Sequence, residues 1–203
     1  MSVETMPDDK ELIARLKAGD LDALGLLYDQ YGTQIYRTAL ALTADEAAAE
    51  DVMQECLLRV FQYAHSLDSN LPLAPWLYRV TVNCSHTLSR KKRRFLSLTE
   101  VLMETLLAPV QDGPENRAEI HDTEQRIHDA IQSLPLKQRA VVVLYYVNGL
   151  SVKEIASVVD CNVATVKTRL FHARIRLREV LDEPTTVAEF RGVRSKNLGL
   201  GYT

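Results

Sequence analysis

The chain has little of what most catalytic, exported or membrane proteins carry. Its three cysteines, Cys56, Cys84 and Cys161, are odd in number and far apart. No CxxC pair and no Cys/His cluster at zinc-ligand spacing occurs, so neither a disulfide framework nor a zinc module is expected. Buried free thiols are the expected state, with redox sensing as the alternative. No run of apolar residues reaches the eighteen or so that a membrane-spanning helix needs, so no direct membrane insertion is expected. The segment Met1 to Asp20 has early acids and no apolar core, unlike a secretion signal, and a cytoplasmic protein is expected. Walker A, GxGxxG, HExxH and GxSxG motifs are missing. His65, His86, His121, His128 and His172 have no spacing that builds a triad or a metal site. The expectation is therefore a chain that is not an enzyme, with no catalytic residue, no metal and no cofactor.

What is present is helical periodicity and segregated charge. The formal net charge of −3 conceals alternating blocks. Met1 to Asp68 carry 5 cations and 13 anions, whereas Ser69 to Phe95 carry 6 cations and no anion. Leu96 to Pro135 carry 2 cations and 8 anions, and Leu136 to Glu183 carry 8 and 5. Two basic blocks between acidic ones suit a protein that touches nucleic acid at two separated places and another protein elsewhere.

The stretch Gly149 to Leu181 (GLSVKEIASVVDCNVATVKTRLFHARIRLREVL) is the most informative. Ser151 and Glu154 have capping-box spacing, where each satisfies the other's free backbone donor at a helix start. Ile155, Val158 and Val159 follow at helical spacing, and Ala156 is small enough to admit a second helix. Asp160 falls where the chain must turn, and Asn162 suits the N-cap of the next helix. Val163, Val166, Leu170, Ala173 and Leu177 form one apolar stripe in that helix. Lys167, Thr168, Phe171, His172 and Arg174 fall outside it. An apolar seam with cations and hydroxyls opposite is what insertion into a DNA major groove requires.

Upstream, Leu12, Ile13, Leu16, Leu24, Leu27, Tyr31, Ile35 and Leu42 mark two or three amphipathic helices, with irregularities expected at Gly19-Asp20 and Gly32-Thr33. Thr43 to Glu46 reads as a turn, and Ala47 to Ala64 as a helix with Ala49, Val52, Met53, Cys56, Val60 and Phe61 inward. Its polar face carries Glu50, Asp51, Gln54 and Glu55, which can meet an Arg-rich partner helix. Two prolines predict a loop over Ser66 to Pro75. A helix is expected from Trp76 to Arg94, ending in the basic run Arg90 to Arg94, whose cations would also favour its C-terminal dipole. Leu67 to Arg94 is thus a second candidate for DNA contact. Its loop bears Asp68, Ser69 and Asn70, and its helix bears Arg79, Asn83, His86, Arg90 and Lys91. Trp76 and Tyr78 are expected mainly to pack. Phe95 to about Asp122 reads as an acidic linker, within which Leu96 to Leu107 could form a short helix. Helices are then expected from Thr123 to the Pro135 turn and from Lys137 to Val147.

On the residues alone, three readings remain. One is a protein that touches nucleic acid at two places and a protein partner elsewhere, one a conventional helix-turn-helix regulator with a helical sensor domain, and one a helical interaction module without a DNA role. Three motifs in order resemble one family, the bacterial extracytoplasmic-function (ECF, group 4) RNA polymerase sigma factors. AAAEDVMQECLLRVF (47–61) is similar to that family's polymerase-clamp helix, and PWLYRVTVN (75–83) to the start of its promoter-melting helix. LPLKQRAVVVLYYVNGLSVKEIASVVDCNVATVKTRLFHARIRLREVL is similar to its region 4, and the likeness spans roughly Asp20 to Leu181.

The resemblance implies an all-α fold of two small helical domains joined by a flexible acidic linker. Region 2 would occupy 8–95, the linker 96–122 and region 4 the segment 123–183, with 184–203 a disordered tail. It implies RNA polymerase core as partner, with Asp51, Gln54 and Glu55 on the largest-subunit clamp and region 4 on the flap. It implies promoter DNA as a second partner. The loop at Asp68 to Leu73 and Asn83 would hold a flipped −10 base, and Thr165, Lys167, Thr168, Arg169, Phe171, His172 and Arg174 would face the −35 element. An anti-sigma factor is a further implied partner. The chain departs from the family at His172, where Arg is frequent, and in the loop LDSNLPLAP, which lacks the usual glycine and aromatic residues.

Overall fold

The computed structural model describes residues 7–103 and 120–181, with side chains over 7–90 and 126–181. Among the described residues every regular element is helical. A first lobe holds α1 (Asp9–Lys17), α2 (Asp22–Thr43), α3 (Glu46–Tyr63), a single 3₁₀ turn (Ala64–Ser66) and α4 (Leu73–Met103). A second holds α5 (Ile120–Ser133), α6 (Leu136–Tyr146), α7 (Val152–Val158) and α8 (Val163–Leu181). The helical content expected from periodicity, and the two-part all-α architecture that the resemblance implies, are the ones observed.

Local signals set most boundaries. Asp8 caps α1 by accepting the Glu11 N–H at 2.8 Å, and Asp45 caps α3 by accepting Ala48 N–H at 3.0 Å. Gly19, at φ +78°, adopts the left-handed conformation that ends α1, and the Arg15–Asp20 ion pair at 2.7 Å spans that bend. Gly32 produces no irregularity. It is buried within a continuous α2, under the Tyr28 ring, where an added Cβ would meet ring carbon at 3.1 Å.

Three expectations along α4 need correction. The helix starts at Leu73, so Pro75 lies inside its first turn. Proline is tolerated there because the N–H it lacks would have no intrahelical acceptor. At its other end α4 continues through Met103, past the expected stop at Arg94. The run Arg90 to Arg94 is therefore mid-helix and gains nothing from a C-terminal dipole. The helix expected within Leu96 to Leu107 is present through Met103 but continuous with α4, and α5 begins at Ile120, three residues before Thr123. Residues 104–119 and the expected tail beyond Leu181 lie outside the described residues.

Each lobe has an apolar core. The first is built on Leu27, Ile35, Val52, Cys56, Val60, Leu73 and Leu77, all nearly inaccessible. The second is built on Val141, Leu144, Ile155, Val166, Leu170 and Leu177. Leu42, Tyr78 and Val82 of the first lobe join the second core, so the lobes share apolar surface. Polar ties cross the same seam. Gln132 donates to the Ala41 carbonyl at 2.9 Å, Arg139 to the Leu42 carbonyl at 2.8 Å, and Asn148 to the Thr38 hydroxyl at 2.8 Å.

Candidate nucleic-acid and polymerase interfaces

The helix-turn-helix forms as its sequence dictates. Ser151 accepts the Glu154 N–H while the Glu154 carboxylate accepts the Ser151 N–H at 2.7 Å, completing the capping box. These bonds hold the Glu154 carboxyl below the ordinary carboxylate range. Asp160 takes the left-handed conformation at φ +48°. Asn162 Oδ1 accepts both the Thr165 N–H at 2.7 Å and the Thr165 hydroxyl at 2.8 Å, so α8 starts from a satisfied end.

Val166, Leu170, Ala173, Leu177 and Leu181 face the core. Val163 does not; it is exposed at the first position of α8, which shifts the buried row one turn C-terminally. Lys167, Thr168, Phe171 and His172 are exposed on the opposite side, Phe171 at 60%. Thr165 and Arg169 lie half-buried on one flank, where the Arg169 guanidinium is 3.7 Å from the Cys161 sulfur. Arg174 lies on the other flank and turns back onto α6. Its Nε donates to the Tyr146 hydroxyl at 3.0 Å, and its guanidinium stacks over Tyr145 and Tyr146. It remains exposed, but its guanidinium is engaged by α6, unlike the side chains of the other six α8 residues expected at the −35 element.

On α3, Asp51 and Gln54 are exposed one turn apart, and Glu55 is half-buried beside them. Asp51 also rims a shallow groove lined by Thr43, Ala47, Ala48, Leu88 and Ser89. Glu55 is already paired, accepting from Arg59 at 2.7 Å. An exposed pair of this kind contributes little to stability, so Glu55 remains free to change partner. Leu58 lies on the same face, 54% exposed. Sequence reasoning passes over it because one leucine outside an apolar row carries no signal of its own.

The expected −10 residues divide into two groups. Asp68 and Asn70 are exposed in the loop before α4, Ser69 is half-buried there, and Asn83 and Arg90 are exposed along α4. The Lys91 side chain lies outside the described residues. Arg79 and His86 instead meet the second lobe. The Arg79 guanidinium donates to the Ser157 carbonyl of α7. His86 is largely buried, its Nε2 without a hydrogen-bond partner. Burial lowers its pKa, and the cations Arg139, Lys137 and Arg169 lower it further against one bond to the Leu136 backbone. Trp76 packs against the first core and Tyr78 is buried with its hydroxyl donating to Gln34 at 3.2 Å, as expected of anchors.

Cys56 and Cys84 are buried, and burial pushes the Cys56 thiol up to about 12, so it stays protonated and unreactive at neutral pH. Cys161 is half-buried. Among the described residues no group of His, Cys, Asp and Glu could hold a metal ion, and no helix is long and apolar enough to cross a membrane.

Known proteins carry the same two parts. The family model for Sigma-70 region 2 matches residues 27–95, and that for Sigma-70, region 4 matches residues 124–177. The ECF RNA polymerase sigma factor SigW of Bacillus subtilis (strain 168) is 33% identical over 179 residues, covering 85% of this chain and 96% of the relative. The ECF RNA polymerase sigma factor SigL of Mycobacterium tuberculosis (strain H37Rv) is 34% identical over 169 residues, covering 82% and 93%. Among solved structures, CnrH in complex with the cytosolic domain of CnrY superposes with a TM-score of 0.65 at 23% identity, over 87% of this chain and 99% of that one. Both matched regions, their order and the near-complete coverage agree with the helix-turn-helix and the α3–α4 unit described above. The chain belongs to the ECF sigma factors, the transcription initiation factors that bind RNA polymerase core and direct it to promoters.

Proposed function

We propose a division of labour among three faces of this sigma factor. The exposed side of α8, with Thr165, Lys167, Thr168, Arg169, Phe171 and His172, enters the major groove of the −35 element. Lys167 and Arg169 neutralise phosphates or read guanine edges, while Phe171 makes apolar contact with a thymine methyl. The observation that carries this reading is the exposure of Lys167, Thr168, Phe171 and His172 on one side of a helix whose other side is fully used by the core. Arg174 acts indirectly, bracing α8 against Tyr146.

Asp51, Gln54 and Glu55, with Leu58 among them, form the contact for the polymerase clamp. Glu55 exchanges Arg59 for a cation of the polymerase. Region 4 rests on the flap. Asp68, Ser69, Asn70 and Asn83 hold a base flipped from the −10 element, and Arg90 and Lys91 follow the phosphates. His86 joins them only after the lobes separate, because the second lobe covers it, whereas Arg79 is exposed and need only release the Ser157 carbonyl. Promoter opening is driven by binding energy alone. The chain is not an enzyme, and the polymerase performs all the chemistry in the cytoplasm. An anti-sigma factor is the further partner this reading includes; CnrH and the Bartonella quintana sigma factor RpoE were each solved with a protein partner, CnrY and the anti-sigma factor NepR.

Two double variants separate the faces. Asp51→Lys with Gln54→Lys should abolish capture of core polymerase and leave binding to −35 duplex intact. Lys167→Ala with Thr168→Ala should do the reverse. A −35 affinity unchanged by the second pair would contradict the reading of α8.

A further inference from the structure

Asp9 belongs to none of these faces, yet its carboxylate makes two bonds far along the chain. It is the first residue of α1. One oxygen accepts the Tyr31 hydroxyl of α2 at 2.5 Å. The other accepts the backbone N–H of Leu73, the first residue of α4, at 2.8 Å. A helix start leaves several N–H groups without intrahelical partners, and the residue just before the helix usually supplies an acceptor. Here that residue is Pro72, whose side chain has none, and a carboxylate 64 positions away takes its place. Burial, reinforced by the neighbouring Asp9 carboxylate, pushes the Tyr31 phenol up, so it remains a donor at any physiological pH.

The same short helix reaches the loop that precedes α4. Lys17 Nζ lies 3.4 Å from Ser69 Oγ. The loop is anchored at both feet, by buried Leu67 and buried Leu73. Between them it folds onto itself. Asp68 Oδ1 accepts the Asn70 N–H at 2.9 Å and the Asn70 side-chain amide at 3.0 Å, and the Asp68 carbonyl accepts Leu71 N–H. The loop's internal bonds fix its shape, and the bonds from α1, together with the buried feet Leu67 and Leu73, fix where that shape stands relative to α4.

We propose that α1 positions the promoter-melting loop. Asp9, braced by Tyr31, fixes the start of α4, and Lys17 holds Ser69, so that Asp68, Ser69 and Asn70 meet an extruded base in one geometry. Recognition of a flipped base by a few hydrogen bonds tolerates a displacement of only about 0.5 Å, which a loop without support would exceed. Asp9, Tyr31 and Lys17 are positioning residues and do not touch DNA. The proposal rests on the reading of Asp68 to Asn70 as the −10 contact.

The test uses the full chain with core polymerase and a promoter library carrying each base at each −10 position, with core affinity and −35 duplex binding measured beside it. Asp9→Ala should reduce the preference for the favoured −10 base about tenfold, the worth of one hydrogen bond to a charged group. Core affinity and −35 binding should stay within about twofold, since α1 packs chiefly against α2 and the 3₁₀ turn. Asp9→Asn keeps an acceptor for Leu73 and should recover most of the preference; Tyr31→Phe should lose part of it. Asp68→Ala and Asn70→Ala serve as controls. If they flatten the preference and Asp9→Ala does not, the positioning role is overturned while the loop reading stands. If none of them changes it, the loop reading fails and the proposal with it. Should Asp9→Ala weaken core and −35 binding as much as −10 preference, its role is general stability and the proposal is overturned.

Discussion

Acidification should loosen the contact between the two lobes, and His86 sets how much. The imidazole is wedged where α4 meets α6, with Nε2 unpartnered and with Arg139 and Lys137 of α6 and Arg169 of α8 around it. Burial first, then those cations, lower its pKa below the ordinary 6.5. The packed form therefore binds the proton less readily than the separated or unfolded form. Its stability is complete above about pH 6.5 and declines as the pH falls below that value, until the lowered pKa is reached. The slope is at most about 1.4 kcal/mol per pH unit. In a chain of this length 1 kcal/mol corresponds to roughly 2–4 °C in Tm. The assay is thermal melting by circular dichroism from about pH 7.5 to about pH 5.5 for the parent and for His86→Gln, which stays uncharged throughout. Groups common to both proteins cancel in the difference. The parent should lose more Tm than the variant between roughly pH 6.5 and pH 5.5, by at most about 4 °C. Parallel Tm profiles would refute the assignment of this proton to the seam.

Three further outcomes follow from the same contacts. Asn162→Ala removes the acceptor at the start of α8 and should cost about 1 kcal/mol, read as a lower Tm, with Asn162→Gly losing only a few tenths. Lys167→Ala should weaken −35 duplex binding and reduce the slope of log K against log salt by about 0.9 if the side chain neutralises one phosphate; an unchanged slope would exclude that contact. Ile155 is wholly buried between α7 and its neighbours, so Ile155→Ala should cost roughly 2–5 kcal/mol in denaturant unfolding, and a loss below about 1 kcal/mol would mean that the second core collapses around the gap.

The helix-turn-helix was the most legible part of the sequence because its signals are local. Ser151, Glu154, Asp160 and Asn162 each act within a few residues of their own position, so spacing alone locates them. Asp45 before α3 acts over the same short range. The errors fall where local chemistry is ambiguous. Pro75 reads as a breaker, yet proline is neutral in a first turn, and nothing nearby distinguishes the two cases. The basic run at Arg90 to Arg94 looks like a helix end, yet α4 continues through it. What could not be read at all is long-range. Asp9 reaching Leu73, Arg139 reaching Leu42 and Arg79 reaching Ser157 join residues 64 to 97 positions apart, and periodicity within a helix does not encode such pairings. Covering of His86 by a second lobe is a property of that packing, whereas its residue type and place in a basic helix suggested DNA contact. Arg174 shows the same limit on a smaller scale. It falls outside the apolar stripe of α8, but its partner is a tyrosine pair on α6.

The central claim is that this chain confers promoter choice on RNA polymerase. The most direct test is transcription from a randomised promoter library by purified core polymerase, with and without the full-length protein. Initiation confined to templates that share one −35 motif and one −10 motif, and lost with Lys167→Ala plus Thr168→Ala, is the predicted result. Specific duplex binding by the protein without any initiation by the supplemented core would contradict it.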